Sequence, residues 1–200
     1  MEVVLDKKYP VAAGLDAGWA VLSNMHELAT CMPGAQITEE IDATHYKGSV
    51  RVKVGPAVAA FSGTIEVLTL DPATRTLKMM GKGADKSGSS ASMALTAKLV
   101  AAEDGNSTLE GHAEVIVNGK FAQFGGRMMT SVSDMILMQF AEVFSQKAQA
   151  LQGAATSAEG TGAASAAVFA APIMAKEFNA LAFIWALIRK FFADLFSRKS

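Results

Sequence analysis

Apolar and polar residues alternate with period two through much of the first 120 residues, in segments that stop at glycine, proline or aspartate. This is the pattern of antiparallel strands with one face on a core and the other in water. In HYKGSVRVKV, Tyr46, Gly48, Val50, Val52 and Val54 interleave with His45, Lys47, Ser49, Arg51 and Lys53. The segment from Val58 to Leu70 sets Phe61, Gly63, Ile65 and Val67 on one side. After DPATR (71–75), where Asp71 and Pro72 favour a turn, two strands carry Leu77, Met79 and Gly81, then Met93, Leu95, Ala97 and Leu99, inward. EDGNS (103–107) turns the chain into a last strand, Thr108 to Val117, with Leu109, Gly111, Ala113, Val115 and Val117 inward. Near the start, VVLDKKYPV predicts one more strand. LDAGWAVLSNMHELATCMPGA predicts two short helices, broken near Ser23 and Asn24 and closed by Pro33-Gly34.

Past Asn118-Gly119 the spacing becomes helical. Phe121, Phe124, Met128, Val132, Met135, Gln139 and Val143 recur at three- and four-residue steps, which predicts one long amphipathic helix. The order strand, two short helices, several strands, long helix is that of an α+β helix-grip fold, a curved antiparallel sheet around a long C-terminal helix. Sheet and helix in such an arrangement do not fully close on each other, so a cavity is expected. Its predicted lining is Tyr46, Phe61, Met79, Met93, Phe121, Phe124, Met128, Val132, Met135 and Gln139. Eleven methionines in 200 residues supply adaptable apolar surface. Small inward residues (Gly48, Gly63, Gly81, Gly111, Ala113) leave volume for an apolar occupant, the alternative being an ordinary filled core. Tyr46 and Gln139 are the polar groups that could hydrogen-bond it.

Composition divides the chain near residue 152. Residues 1–150 form the predicted helix-grip domain and 151–172 an Ala/Gly-rich linker. From Gln152 to Pro172 there are nine alanines, three glycines and one charge, Glu159. As a random coil about 20 such residues span roughly 25 Å, and the alanines could make part of it helical. Residues 173–200 are expected to form an amphipathic helix with Phe178, Leu181, Trp185, Ile188, Phe192 and Leu195 on an apolar stripe and Arg189 and Lys190 available for anionic headgroups. Its longest uncharged run, Phe178 to Ile188, is 11 residues, short of the roughly 20 a spanning helix needs. It is expected to bind at a membrane interface; the alternative is packing on its own domain or in a homo-oligomer.

Charge excludes more than it assigns. A net of −1 offers no basic field for nucleic acid. The lone Cys31 excludes an internal disulfide and fits a reducing cytosol, three scattered histidines do not make a metal site, and MEVVLDKKYP places charges where an export signal would need an apolar run. No catalytic constellation is legible: Ser87, Ser89, Ser90 and Ser92 lack a neighbouring histidine, GKGADKSG lacks phosphate-loop spacing, and adjacent His26 and Glu27 face different ways. The outward row His45, Lys47, Arg51 and Lys53 reads as the wet side of a strand.

Trp19, CMPGA (31–35), VGPAVAAFSG (54–63) and NGKFAQFGGR (118–127) resemble the carbon monoxide dehydrogenase CoxG family over roughly residues 1–147. The resemblance implies a helix-grip domain of the START and Bet v 1 type, encoded beside molybdenum hydroxylases. It further implies recruitment of CO dehydrogenase to the inner face of the cytoplasmic membrane, where electrons enter the quinone pool. The expectation is therefore a non-enzymatic, peripheral membrane adaptor that binds a quinone, with menaquinone the favoured species. A lipid or polyketide carrier without a dehydrogenase partner and a helix-grip cyclase or hydrolase stand as alternatives. The matching glycines, Gly34, Gly55, Gly63 and Gly119, read as turn or close-approach positions.

Overall fold

In the computed structural model, which describes residues 1–54 and 57–159, the chain begins with strand β1 (Glu2–Val11) and two helices, α1 (Leu15–Leu22) and α2 (Met25–Cys31). Six strands follow: β2 (Ala35–Glu40), β3 (His45–Val54), β4 (Ala57–Asp71), β5 (Thr76–Asp85), β6 (Ser90–Ala101) and β7 (Ser107–Asn118). A 3-10 turn (Gly119–Phe124) leads into α3 (Gly126–Glu159). The seven strands form one sheet in the order β1-β7-β6-β5-β4-β3-β2 with antiparallel pairing throughout. β1 and β2 occupy opposite edges, so α1 and α2 carry the chain across the sheet from one edge to the other. The predicted linker and C-terminal helix from residue 160 onward, with all eight named membrane-binding residues from Phe178 to Leu195, lie outside the described residues, as do Gly55 and Pro56.

Local chemistry explains the break between the two short helices. Asn24 is extended, and its side-chain oxygen accepts from the amides of His26 and Glu27 at 3.1 Å, supplying partners for two otherwise free donors of α2. The strand alternation falls as expected: Val67, Leu77, Ala97, Leu99, Leu109, Ala113 and Val117 are buried on the concave face. Gly63 is required by close approach, since a Cβ there would lie 1.9 Å from the Lys82 carbonyl oxygen of the paired strand. Gly81 and Gly111, by contrast, leave space: the first would meet a methionine methyl at 3.8 Å and the second nothing within 4 Å.

The main core gathers Val11, Leu22, Leu28, Leu77, Leu99, Leu109, Phe144 and Ala148 where α1, α2 and the C-terminal half of α3 cover one end of the sheet. Polar contacts fix that half of α3. The Ala12 amide donates to Ser145 Oγ (3.0 Å), the Gly14 amide to Gln152 Oε1 (2.7 Å), and Lys147 Nζ to Thr30 Oγ1 (2.6 Å) and to Glu27. α3 runs to Glu159, so the first residues of the predicted linker are helical, and Gln152 is one of its anchors. AQITEE forms edge strand β2, where only Ala35 and Ile37 face the core.

Phe144 is fully buried in this core. Phe144→Ala is expected to lower unfolding free energy by about 3–5 kcal/mol in urea denaturation. Met138→Ala, on the outer side of the same helix, is expected to stay within about 0.5 kcal/mol of the parent.

Candidate functional site: an open apolar trough

The concave face beyond the main core is a trough. Its floor is Val52, Phe61, Ile65, Met79, Gly81, Met93, Leu95 and Val115, all of them partly exposed, with Ile65, Met79 and Leu95 also packed against the main core. Pairing aligns them in ranks, with Gly81 between Ile65 and Met93, and Met79 between Val67 and Leu95. One end is walled by a ring stack, Phe61 to Phe121 at 5.7 Å and Phe121 to Phe124 at 6.0 Å. Met129 and Val132 from the first turns of α3 pack onto this cluster, and Leu137 follows towards β1.

Six of the ten predicted lining residues are brought together here: Phe61, Met79, Met93, Phe121, Phe124 and Val132. The other four need correction. Met128, Met135 and Gln139 are exposed on the outer side of α3. The predicted helical phase began at Phe121, but Phe121 and Phe124 belong to a 3-10 turn that ends at Gly125 (φ 77°), and α3 starts afresh at Gly126. That break resets the phase, so the inward positions are Met129, Val132, Leu137, Phe140 and Phe144. Tyr46 is buried, but its hydroxyl donates to the Ala43 carbonyl oxygen at 3.0 Å, so its hydrogen bond is already committed to backbone.

A polar cluster joins β1 to α3 that the residue pattern did not single out. β1 alternates Val3, Leu5, Lys7, Tyr9 and Val11 towards α3, and Lys7 Nζ pairs with Asp134 Oδ1 at 2.8 Å. The Asp134 bond raises the Lys7 ammonium above its ordinary pKa, and burial pushes the neighbouring Tyr9 phenol up. The signal was available in the period-two parity that Val3, Leu5 and Val11 set. Other clefts lie elsewhere: one of about 350 Å³ between Tyr9 and Pro10 on β1 and Glu142, Ser145 and Gln146 on α3. Another, of about 430 Å³, involves Ser62, Thr64, Lys82, Ser90, Ser92 and Asn118.

The three histidines stand on the outside. His26, His45 and His112 are exposed and bonded to Glu40 (2.8 Å), Asp42 (2.9 Å) and Asp6 (2.6 Å). In the outward row Lys47 pairs with Glu39 at 2.8 Å. Among the described residues no three His, Cys, Asp or Glu side chains gather as a metal site, and no helix is long and apolar enough to cross a membrane. Cys31 is buried, and its Sγ donates to the Glu27 carbonyl oxygen at 3.4 Å.

A curved antiparallel sheet, a long C-terminal helix and an apolar space between them define a START-like helix-grip domain. A protein from Geobacillus kaustophilus described as conserved has this fold, with 18% identity and a TM-score of 0.64 over 74% of this chain and 95% of its own. So do the Zhui aromatase/cyclase from Streptomyces sp. R1128 (15%, 0.53, 74% and 94%) and a START superfamily protein from Mycobacterium smegmatis (15%, 0.52, 74% and 98%). The chain belongs to the carbon monoxide dehydrogenase CoxG family, whose model matches residues 8–149. No curated protein matches the sequence.

Burial pushes the Cys31 thiol up to about 11, leaving almost no thiolate at neutral pH. Iodoacetamide at pH 8 is expected to leave Cys31 unmodified in the folded protein and to alkylate it fully in denaturant, as read by intact mass.

Proposed function

We propose that this protein is a non-catalytic carrier and adaptor that holds a lipophilic ring compound, a respiratory quinone such as menaquinone, in the trough. In this reading it links a molybdenum-containing CO dehydrogenase to the cytoplasmic face of the membrane. The observation that carries the proposal is the partly exposed apolar floor of Phe61, Met79, Met93 and Leu95, which the protein's own helix does not cover completely. Soluble domains ordinarily bury such surface, so a greasy occupant is the economical explanation. Methionine side chains at two floor positions and Met129 above them can adapt to an irregular chain, and the partly exposed Phe61 and Phe124 rings, backed by buried Phe121, can meet a planar ring system. Acid–base chemistry has little to work with on this floor, since Lys7 and Asp134 neutralise each other at the β1 side. Family membership supports the dehydrogenase partner. The apolar stripe of residues 173–200, with Trp185, Arg189 and Lys190, supports the membrane link.

Extraction of the natively purified full chain with organic solvent, followed by mass spectrometry, tests the ligand. A quinone is expected, and Gly81→Leu, which grows a side chain into the trough beside Met93, is expected to lower its yield several-fold while the protein stays folded. Phospholipid or a polyketide in place of quinone would favour a carrier without a dehydrogenase partner. An unchanged quinone yield in Gly81→Leu would remove the trough as the site.

A further inference from the structure

Charge is polarised along the strands of this domain. At one end the β3–β4 pairing, the β5–β6 turn and the corner from β7 into α3 come together. Asp85 at the end of β5 accepts from the Ala60 amide at 3.3 Å, and a Cβ on Gly119 would lie 2.8 Å from Ser89 Cα. These contacts gather Lys53, Lys86, Lys120 and Arg127, all exposed, at one end. The acid in these segments is Asp85, whose oxygens accept from the Ser87 and Ala60 amides; Glu2 lies alongside at the start of β1. The opposite end carries Asp16, Asp71, Glu103 and Asp104, with Arg75 bonded to Asp16 and exposed Lys78 and Lys98 as its other cations. Residues 1–150 hold 13 Lys and Arg against 16 Asp and Glu, a net of −3, so the positive pole stands out against an acidic body.

The outer side of α3 adds a second, independent feature at the same end. Met128, Met135 and Met138 are 39%, 49% and 64% exposed and fall on one side of the helix. Arg127, Thr130, Ser131 and Gln139 share the exposed side, and the acid there before Glu142 is Asp134, whose side chain is 45% exposed and paired with Lys7. The inner side of these same turns carries Met129, Val132 and Leu137 towards the trough. Single exposed apolar residues are ordinary; three methionines along one side of a helix that begins beside a cluster of cations are not.

We infer that the basic loop end and the methionine side of α3 form a docking surface for an anionic lipid bilayer, with the phenylalanine-walled end of the trough turned to the lipid. The cations attract and orient the domain, and the flexible methionines enter the headgroup boundary. A second copy docking through the same surface would bring two positive poles together, so charge complementarity favours lipid. The inference rests on the membrane setting of the proposed function and goes beyond it: the folded domain makes its own contact, in one orientation, independently of residues 173–200.

Fluorescence of the full chain on vesicles tests it. An environment-sensitive dye is placed at Met128→Cys or Met135→Cys, and at Glu103→Cys on the opposite end, with buried Cys31 unreactive. The vesicles are phosphatidylcholine with about 30% phosphatidylglycerol. Dye at 128 or 135 is expected to shift blue and to be quenched by lipid-borne quencher, while dye at 103 stays in water. The combined Lys86→Glu, Lys120→Glu and Arg127→Glu variant is expected to reduce the 128 signal about tenfold or more. Vesicle-bound protein whose 128 and 135 dyes remain in water would overturn this inference and leave tail-mediated binding intact. A blue shift without vesicles that grows with protein concentration would overturn it in favour of self-association. Failure to sediment with vesicles at all would overturn both membrane readings.

Discussion

One helix cannot cover a seven-stranded sheet. Seven strands at about 4.8 Å spacing present a concave face nearly 30 Å across, whereas a helix with its side chains is about 10 Å wide. α1 and α2 close one end and α3 lies towards β1, so the floor on β3 to β6 is left half-covered. The trough is thus a consequence of topology, and the sequence determines what lines it.

The polar anchors of α3 are unevenly placed, and this decides where a ligand can go. Ser145, Lys147 and Gln152 bind the C-terminal half to α2 and the β1–α1 link, over a core that includes fully buried Phe144. The N-terminal half has the Lys7–Asp134 pair at the β1 side and otherwise apolar contacts from Met129, Val132 and Leu137. Apolar contacts are non-directional and can be exchanged for contacts with a greasy guest at little cost, whereas the hydrogen bonds of the other half cannot. In the proposed reading the ligand therefore sits under the first turns of α3, next to the phenylalanine wall.

Period-two alternation made most of the sheet legible, because one face of each strand is wet and the pattern registers burial directly. β2 was missed because an edge strand with one apolar pair, Ala35 and Ile37, carries almost no alternation to read. The two short helices were legible through Asn24, whose capping bonds the structure displays. The floor of the candidate site was visible in Phe61, Met79 and Met93, while its roof was misread at Met128, Met135 and Gln139. A three- and four-residue rhythm cannot reveal a phase reset at Gly125, since glycine at positive φ is a matter of backbone geometry that apolar spacing does not encode. Lys7 and Asp134 were overlooked because their partnership joins β1 to a distant helix and exists only once that helix is docked.

Methyl NMR on methionine-labelled protein tests the central claim, that the trough is the ligand site, most directly. Titration with a short-chain naphthoquinone is expected to shift the methyl signals of Met79, Met93 and Met129 together and to leave Met138, on the outer side of the same helix, unmoved. Saturable binding that shifts Met138 while Met79 and Met93 stay in place would contradict the account.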